Sequence, residues 1–213
     1  MAPIEIIELM AVVTASIYGI LLAARSGLDM TGLFAVAFAA AFGGGTLRDL
    51  CLDRQPLFWV GNSHYPVIVF FLSLFSIVVP KLVLRMERYL VVPDALGMGL
   101  FVIAGAAIAH DAETTLFLAA LFGVMTGAFG GVVADIMCAR VPTTFKPGTP
   151  LNLTCCFVGA WAFLLSYHWN LPRPWAMTLG VTVVTVMRIL AVRFHWTLGP
   201  LNRFSGLIAE EKD

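Results

Sequence analysis

An arginine and an aspartate follow three consecutive glycines in one of the most apolar regions of this sequence. The stretch FGGGTLRD ends in Arg48 and Asp49. An ionised side chain at membrane depth costs at least about 2.5 to 3.5 kcal/mol, so such residues face neighbouring helices or a water-filled cavity. There they either neutralise each other or contact a passing ion. The pair is therefore a candidate for a structural ion pair or for a polar pathway.

A second copy of this stretch lies 86 positions further along the chain. GGTLRDLCLDRQP aligns without a gap with GGVVADIMCARVP, which matches Asp49 with Asp135. Ala134 takes the position of Arg48, so the two copies supply two carboxylates and one guanidinium. A site formed by both copies would be net negative and would favour a cation over an anion.

The glycines allow two interpretations, because glycine is about 1 kcal/mol worse than alanine inside a helix. They could let another helix pack closely, as small residues often do in membranes. Alternatively, they could bend two helices so that backbone groups line a polar path. The candidate pathway residues are Gly43, Gly44, Gly45, Arg48, Asp49, Gly130, Gly131 and Asp135, with Tyr18 as a further polar group.

These residues belong to a chain with the composition of a membrane protein. Of its 213 residues 60% are hydrophobic and only 12% are charged, and the mean hydropathy is +0.90. A membrane-spanning helix needs about 20 mostly apolar residues. The seven stretches that qualify are 6–24, 30–50, 66–84, 93–110, 114–138, 150–169 and 174–194. The short connections between these stretches predict a single transmembrane domain over 1–213.

The internal repeat predicts how these spans are arranged. Each copy contains three spans, which is an odd number, so the second copy must enter the membrane from the opposite side. We therefore expect an all-α fold of two inverted three-helix repeats, at about 5–84 and 91–170, followed by a seventh helix at about 174–195.

The distribution of lysine and arginine predicts the orientation. With seven spans, one side carries Arg54, Arg173 and, if it reaches that interface, Arg48. Cytoplasmic loops are enriched in basic residues, which places the N-terminus outside and the C-terminus in the cytoplasm. The nine basic residues on the cytoplasmic side are Arg25, Lys81, Arg85, Arg88, Arg140, Lys146, Arg193, Arg203 and Lys212.

Several function classes are disfavoured by what the sequence contains. Thirteen basic residues balance thirteen acidic ones, which gives no basic surface for nucleic acid. Neither the four cysteines nor the four histidines have metal-ligand spacing, and no catalytic motif is present. We expect no enzyme activity and no metal or other cofactor. Arg188, about two turns from the end of the last span, is expected to extend to the membrane interface.

Three stretches together resemble the prokaryotic branch of the trimeric intracellular cation (TRIC) channel family, whose paired domain is also labelled a glycine transporter. They are GGGTLRDL, its copy GGVVADIM, and PDALGMGLFVIAGAAIA at the start of the second repeat. The resemblance implies a homotrimer with one pore per subunit in the bacterial inner membrane. It also implies passive, voltage-sensitive conduction of K⁺ and Na⁺, with pore-flanking helices that kink at the two glycine stretches.

Two features depart from the pattern of this family. Ala134 removes the arginine that relatives carry before the aspartate of the fifth helix, and the fourth helix has no lysine for binding a phosphoinositide. Two alternatives to a channel stay open. One is a secondary transporter of a small zwitterion such as glycine, whose carboxylate could meet Arg48 and whose ammonium could meet Asp49 or Asp135. The other is a structural membrane protein.

Overall fold

The computed structural model describes residues 3–79 and 91–197, which are helical apart from short connections. A one-turn helix, Phe58–Gly61, and a single 3₁₀ turn, Thr143–Phe145, interrupt two of the connections. The seven longer helices are α1 (Pro3–Arg25), α2 (Met30–Cys51), α3 (His64–Val78), α4 (Val91–Asp111), α5 (Leu116–Met137), α6 (Leu153–His168) and α7 (Arg173–Arg193).

The lengths of these helices identify an all-helical membrane protein. Five helices, α1, α2, α4, α5 and α7, are long and apolar enough to cross a bilayer. Helices α3 and α6 are apolar but have only 15 and 16 residues. At 1.5 Å per residue they reach about 23 Å, less than the hydrocarbon thickness of about 30 Å. The end of the third predicted span, 66–84, and the basic residues Lys81, Arg85, Arg88, Arg203 and Lys212 lie outside the described residues.

The two halves of the chain repeat the same local geometry. Helix α5 begins and ends 86 positions after α2. Both helices start with a side-chain cap, because Asp29 and Thr115 each accept a hydrogen bond from the backbone N–H three residues later. Both are followed by a residue in the left-handed region, Asp53 with φ 49° and Ala139 with φ 53°. The sequence repeat is therefore also a repeat of helix boundaries and turns.

Helix α4 lies in the interior of the fold and packs against α1, α5, α6 and α7. Helix α2 packs against α1 and α5, so the two glycine-containing helices are direct neighbours. On the outside, α3 exposes large apolar residues such as Phe71 and Phe75. Trp169 and Trp175 are exposed at the end of α6 and the start of α7, as expected for an aromatic belt at the membrane interface.

Candidate functional site

Helices α2 and α5 contact each other through their backbones at the glycine stretches. A Cβ atom added to Gly44 would overlap the carbonyl oxygen of Thr126. A Cβ atom added to Gly130 would likewise overlap the carbonyl oxygen of Ala40. At Gly43 the nearest atom to an added Cβ is the Cα of Gly130, at an ordinary 3.5 Å. Gly44 and Gly130 therefore permit a crossing that no larger residue allows without a backbone shift.

This crossing supports the close-packing interpretation of the glycines. Both α2 and α5 remain helical through their glycine stretches, so the helices do not open there to expose backbone groups. Gly45 faces the ring of Phe58, where an added Cβ would also overlap. The close-packing interpretation accounts for Gly44, Gly45 and Gly130.

Asp49 is fully buried at the end of α2 and has a complete set of hydrogen-bond donors. Its Oδ1 accepts from Arg48 Nε at 2.8 Å and from Arg54 Nη1 at 3.4 Å. Its Oδ2 accepts from the backbone N–H of Phe58 at 2.8 Å, which ties the loop after α2 back to the helix. A carboxylate with these donors is stabilised as a structural anion.

Arg48 is 1% exposed and lies between three groups. Its Nη2 is 2.7 Å from Asp49 Oδ1 and 3.9 Å from Glu8 Oε1 of α1. Its Cζ lies 5.3 Å from the centre of the Phe58 ring, within cation–π range. We call Glu8, Arg48, Asp49, Arg54 and Phe58 the Arg48 cluster. Counting Arg54, whose side chain is 44% exposed, its two carboxylates and two guanidiniums cancel, so the cluster is formally neutral.

Asp135 repeats part of this arrangement at the end of α5. Its Oδ2 accepts from the backbone N–H of Thr143 at 2.8 Å and from the Thr143 hydroxyl at 3.0 Å. Its backbone carbonyl accepts from the N–H of Arg140, as that of Asp49 accepts from Arg54. Its buried Oδ1 has no hydrogen-bond partner among the described residues. Asp135 thus ties down a loop through Oδ2, while Oδ1 is buried without a hydrogen-bond donor from the described residues.

The two copies do not form one shared site, so the expectation of a single net-negative group containing Arg48, Asp49 and Asp135 is wrong. Glu8 of the Arg48 cluster and Tyr18, which lies beside Asp135, are both on α1. Ten residues of helix separate them, or about 15 Å. The aspartates end two helices whose crossing point lies between them, so each aspartate belongs to its own cluster.

A cavity of about 390 Å³ lies among α1, α4, α5, α7 and the loop before α6. We call it the central cavity. Its polar lining comes from these four helices and from the loop. The residues used below are Thr14, Tyr18, Asp94, Gly131, Asp135 and Arg188. Of the predicted pathway residues, Tyr18, Gly131 and Asp135 therefore line the cavity. The others, Gly43, Gly44, Gly45, Arg48, Asp49 and Gly130, are not part of its lining.

The inner part of the central cavity is net negative. Asp94 and Asp135 face it together with the partly buried Arg188. Arg25, at the end of α1, and Arg140, in the loop after α5, bring the whole lining to three guanidiniums, but both side chains are exposed, so water and salt screen them. Two carboxylates and one guanidinium remain inside. This is the charge ratio predicted from the repeat, but of the three residues that make it only Asp135 belongs to the predicted set.

Arg188, near the end of α7, reaches both the loop before α6 and the central cavity. Its Nη1 donates to the carbonyl oxygens of Pro150 and Leu151 at 3.1 and 3.2 Å. Its Nη2 is 3.9 Å from Asp94 Oδ2. The two loop carbonyls and the carboxylate of Asp94 hold the guanidinium in the lining of the central cavity. Asp94 and Arg188 are the cavity residues that sequence reasoning missed.

Histidine and cysteine side chains do not gather into a site in the described part of the chain. No group of three His, Cys, Asp or Glu residues there could hold a metal ion. Cys155 and Cys156 are buried in α6, and Cys51 is exposed at the end of α2. All the described cysteines are free thiols.

Comparison with known proteins identifies both halves of the chain as copies of one domain. A family model described as "Glycine transporter" matches residues 5–81 and again residues 91–168. The inner membrane protein YadS of Escherichia coli (strain K12) is 30% identical over 194 residues, which cover 90% of this chain and 93% of YadS.

Two solved structures share the fold over almost the whole chain. A TRIC cation channel structure superposes with a TM-score of 0.85 at 26% identity, covering 93% of this chain and 96% of the other. The TRIC orthologue from Rhodobacter sphaeroides gives a TM-score of 0.84 at 26% identity, covering 91% of this chain and 99% of the other. The chain therefore belongs to the TRIC cation channel family, whose repeated domain carries the glycine transporter description.

Proposed function

We propose that this protein is a channel for monovalent cations, K⁺ and Na⁺, and that the central cavity is part of its conduction path. The observation that carries the proposal is the net-negative interior of this cavity in a fold similar to TRIC cation channels. Fixed carboxylates in a narrow site of low dielectric favour cations over anions. Asp135 is the central residue, because it is 1% exposed and its Oδ1 lacks a partner among the described residues.

The cavity offers a cation the oxygen ligands that replace water. Besides Asp94 and Asp135, Thr14 and Tyr18 of α1 line it with hydroxyl groups. Oxygen atoms from several rigid helices suit K⁺ and Na⁺, which are bound weakly enough to leave again. The Arg48 cluster, in contrast, is neutral and tightly packed. We infer that it closes the opposite half of the subunit in this conformation.

The proposed assembly is a homotrimer with one pore per subunit, as the TRIC neighbours are described as trimeric channels. Each subunit would consist of two inverted three-helix repeats and a seventh helix. The paired domain match and the equal offset of α2 and α5 support this arrangement. We further propose voltage-sensitive conduction in the bacterial inner membrane, with the N-terminus outside and the C-terminus in the cytoplasm, as the distribution of basic residues predicts.

A second candidate function is secondary transport of glycine or a similar zwitterion. The description of the matching family supports it, as does the presence of both charge signs inside the cavity. Arg188 could meet the carboxylate of such a substrate, while Asp94 or Asp135 meets its ammonium group. Arg48, suggested for this role by the sequence, lies in the Arg48 cluster instead.

Planar bilayer recording of the purified protein under a KCl gradient separates these functions. A channel gives discrete current steps with a reversal potential near that of K⁺. Asp135→Asn is expected to shift the reversal potential towards zero, because the amide keeps an acceptor for Thr143 but removes the charge. Asp111→Asn, in an exposed pair with Arg173, is the control and should leave it unchanged.

Two outcomes would reject the channel. One is saturable uptake of glycine into liposomes without any unitary current, which would establish the transporter instead. The other is an anion-selective reversal potential of the wild-type protein.

A further inference from the structure

The two copies of the repeat carry an acid at the same position of their first helix. Glu8 of α1 and Asp94 of α4 are 86 residues apart, the offset of the repeat. Each acid has a guanidinium nitrogen at 3.9 Å, from Arg48 in the first copy and from Arg188 in the second. The pairing is thus repeated, although only the first arginine belongs to the repeat.

Helix α7 supplies the arginine that the second copy lacks. Ala134 stands where Arg48 stands in the first copy, and its side chain has no charge. Arg188 reaches the same kind of carboxylate from outside the repeat. The missing charge noted in the sequence is therefore replaced within the fold by the seventh helix.

The contacts that hold Arg188 differ from those that hold Arg48. Arg48 is 1% exposed and bonded to Asp49, whereas the side chains of Arg188 and Asp94 are 15% and 27% exposed in the wall of the central cavity. In both copies the 3.9 Å between the guanidinium and the acid of the first helix is too long for a hydrogen bond, so other groups hold each arginine. Arg188 is instead anchored by Nη1 to the two loop carbonyls, which leaves Nη2 directed at Asp94.

We propose that Arg188 is a tethered cation that competes with the permeant ion for Asp94. When its guanidinium is near Asp94, the carboxylate is partly neutralised and binds a monovalent cation weakly. When the side chain moves aside, Asp94 joins Asp135 as a cation ligand. Arg188 thereby sets the ion concentration at which the cavity fills. This inference rests on the proposed cation function of the same cavity.

The test measures K⁺ binding separately from conduction. Purified protein in detergent is heated in KCl or in N-methylglucamine chloride of equal ionic strength, and the K⁺ concentration giving half of the thermal stabilisation is determined. Arg188→Gln is expected to lower this concentration about threefold to tenfold. That factor corresponds to a guanidinium occupying the site about 70 to 90% of the time. Bilayer conductance should saturate at correspondingly lower K⁺.

A double variant tests whether the effect passes through Asp94. In the Asp94→Asn background, Arg188→Gln should produce no further change, because the competed carboxylate is gone. Arg140→Gln removes the same charge from the exposed end of the cavity and should shift the midpoint by less than about twofold, since water screens it. Arg188→Lys retains a positive charge, so its K⁺ midpoint should stay close to that of the wild type. This variant also tests whether the loop that Arg188 anchors tolerates a substitution.

The proposal is overturned by any of three results for the variants. The first is an unchanged K⁺ midpoint in Arg188→Gln. The second is a shift by Arg188→Gln that is as large in the Asp94→Asn background as in the wild type. The third is a shift in Arg140→Gln as large as that in Arg188→Gln. A wild-type protein that K⁺ does not stabilise would also overturn it. If the midpoint shifts as expected but no unitary currents appear, the tethered cation stands and the channel function fails.

Discussion

Replacing Arg48 by alanine should destabilise the protein strongly, because it leaves two buried carboxylates without their shared cation. Glu8 and Asp49 are 4% and 0% exposed. Asp49 keeps the Phe58 N–H at 2.8 Å and Arg54 at 3.4 Å, whereas Glu8 loses its nearest guanidinium. Removing one partner of a buried pair costs about 3 to 5 kcal/mol. Because Asp49 retains two donors, we expect the lower end, about 3 kcal/mol.

Equilibrium unfolding in mixed detergent micelles, followed by circular dichroism, measures this loss. A destabilisation of about 3 kcal/mol lowers the ratio of folded to unfolded protein on the order of 100-fold. A second substitution, Glu8→Gln, should recover about 1 to 2 kcal/mol in the Arg48→Ala background, since a neutral amide is less costly to bury than an uncompensated carboxylate. In the wild-type background Glu8→Gln should not be stabilising to this extent, because Arg48 is present.

The matched control is Arg173→Ala. Arg173 is 2.6 Å from Asp111, a shorter contact than that of Arg48 with Glu8, but both side chains are exposed. Exposed pairs contribute about 0 to 1 kcal/mol, so this variant should unfold almost like the wild type. Equal losses in Arg48→Ala and Arg173→Ala would refute the assignment of a buried structural cluster. So would a Glu8→Gln effect that is identical in both backgrounds.

Two further predictions concern packing and orientation. Gly44→Ala and Gly130→Ala should each lower the free energy of unfolding by about 1 to 3 kcal/mol through overpacking, measured by the same unfolding assay. Gly43→Ala should be neutral or stabilising. Equal costs at all three positions would contradict the described crossing. A membrane-impermeant maleimide should label Cys51 in intact cells and Cys138 only after permeabilisation, and the reverse pattern would invert the proposed orientation.

The helices could be predicted from the sequence because their signals are local. The second and fifth predicted spans, 30–50 and 114–138, agree with α2 and α5 to within two residues at each end. Apolar runs, capping residues and turn formers lie next to each other in the chain, so a single pass along it finds them. The family resemblance also rests on contiguous stretches, and the comparisons with known proteins confirmed it.

The charge pairings could not be predicted, because they depend on how helices far apart in sequence pack together. Arg188 meets Asp94 across almost the whole second repeat, and Arg48 meets Glu8 across about half of the first. One signal was present, since Glu8 and Asp94 occupy equivalent positions of the repeat. Extending the internal alignment to the start of the first helix would have suggested that both acids have the same role.

The crossing of α2 and α5 limits the motions by which this protein could open. At Gly44 and at Gly130, main chain lies against main chain with no side chain between them that could change rotamer. Packed interfaces of this kind rearrange by small sliding movements rather than by gradual deformation. Widening the central cavity would therefore displace α1, α4 or α7 around a fixed α2–α5 frame. In spin-label distance measurements, the spacing across this frame should stay constant while the outer helices move.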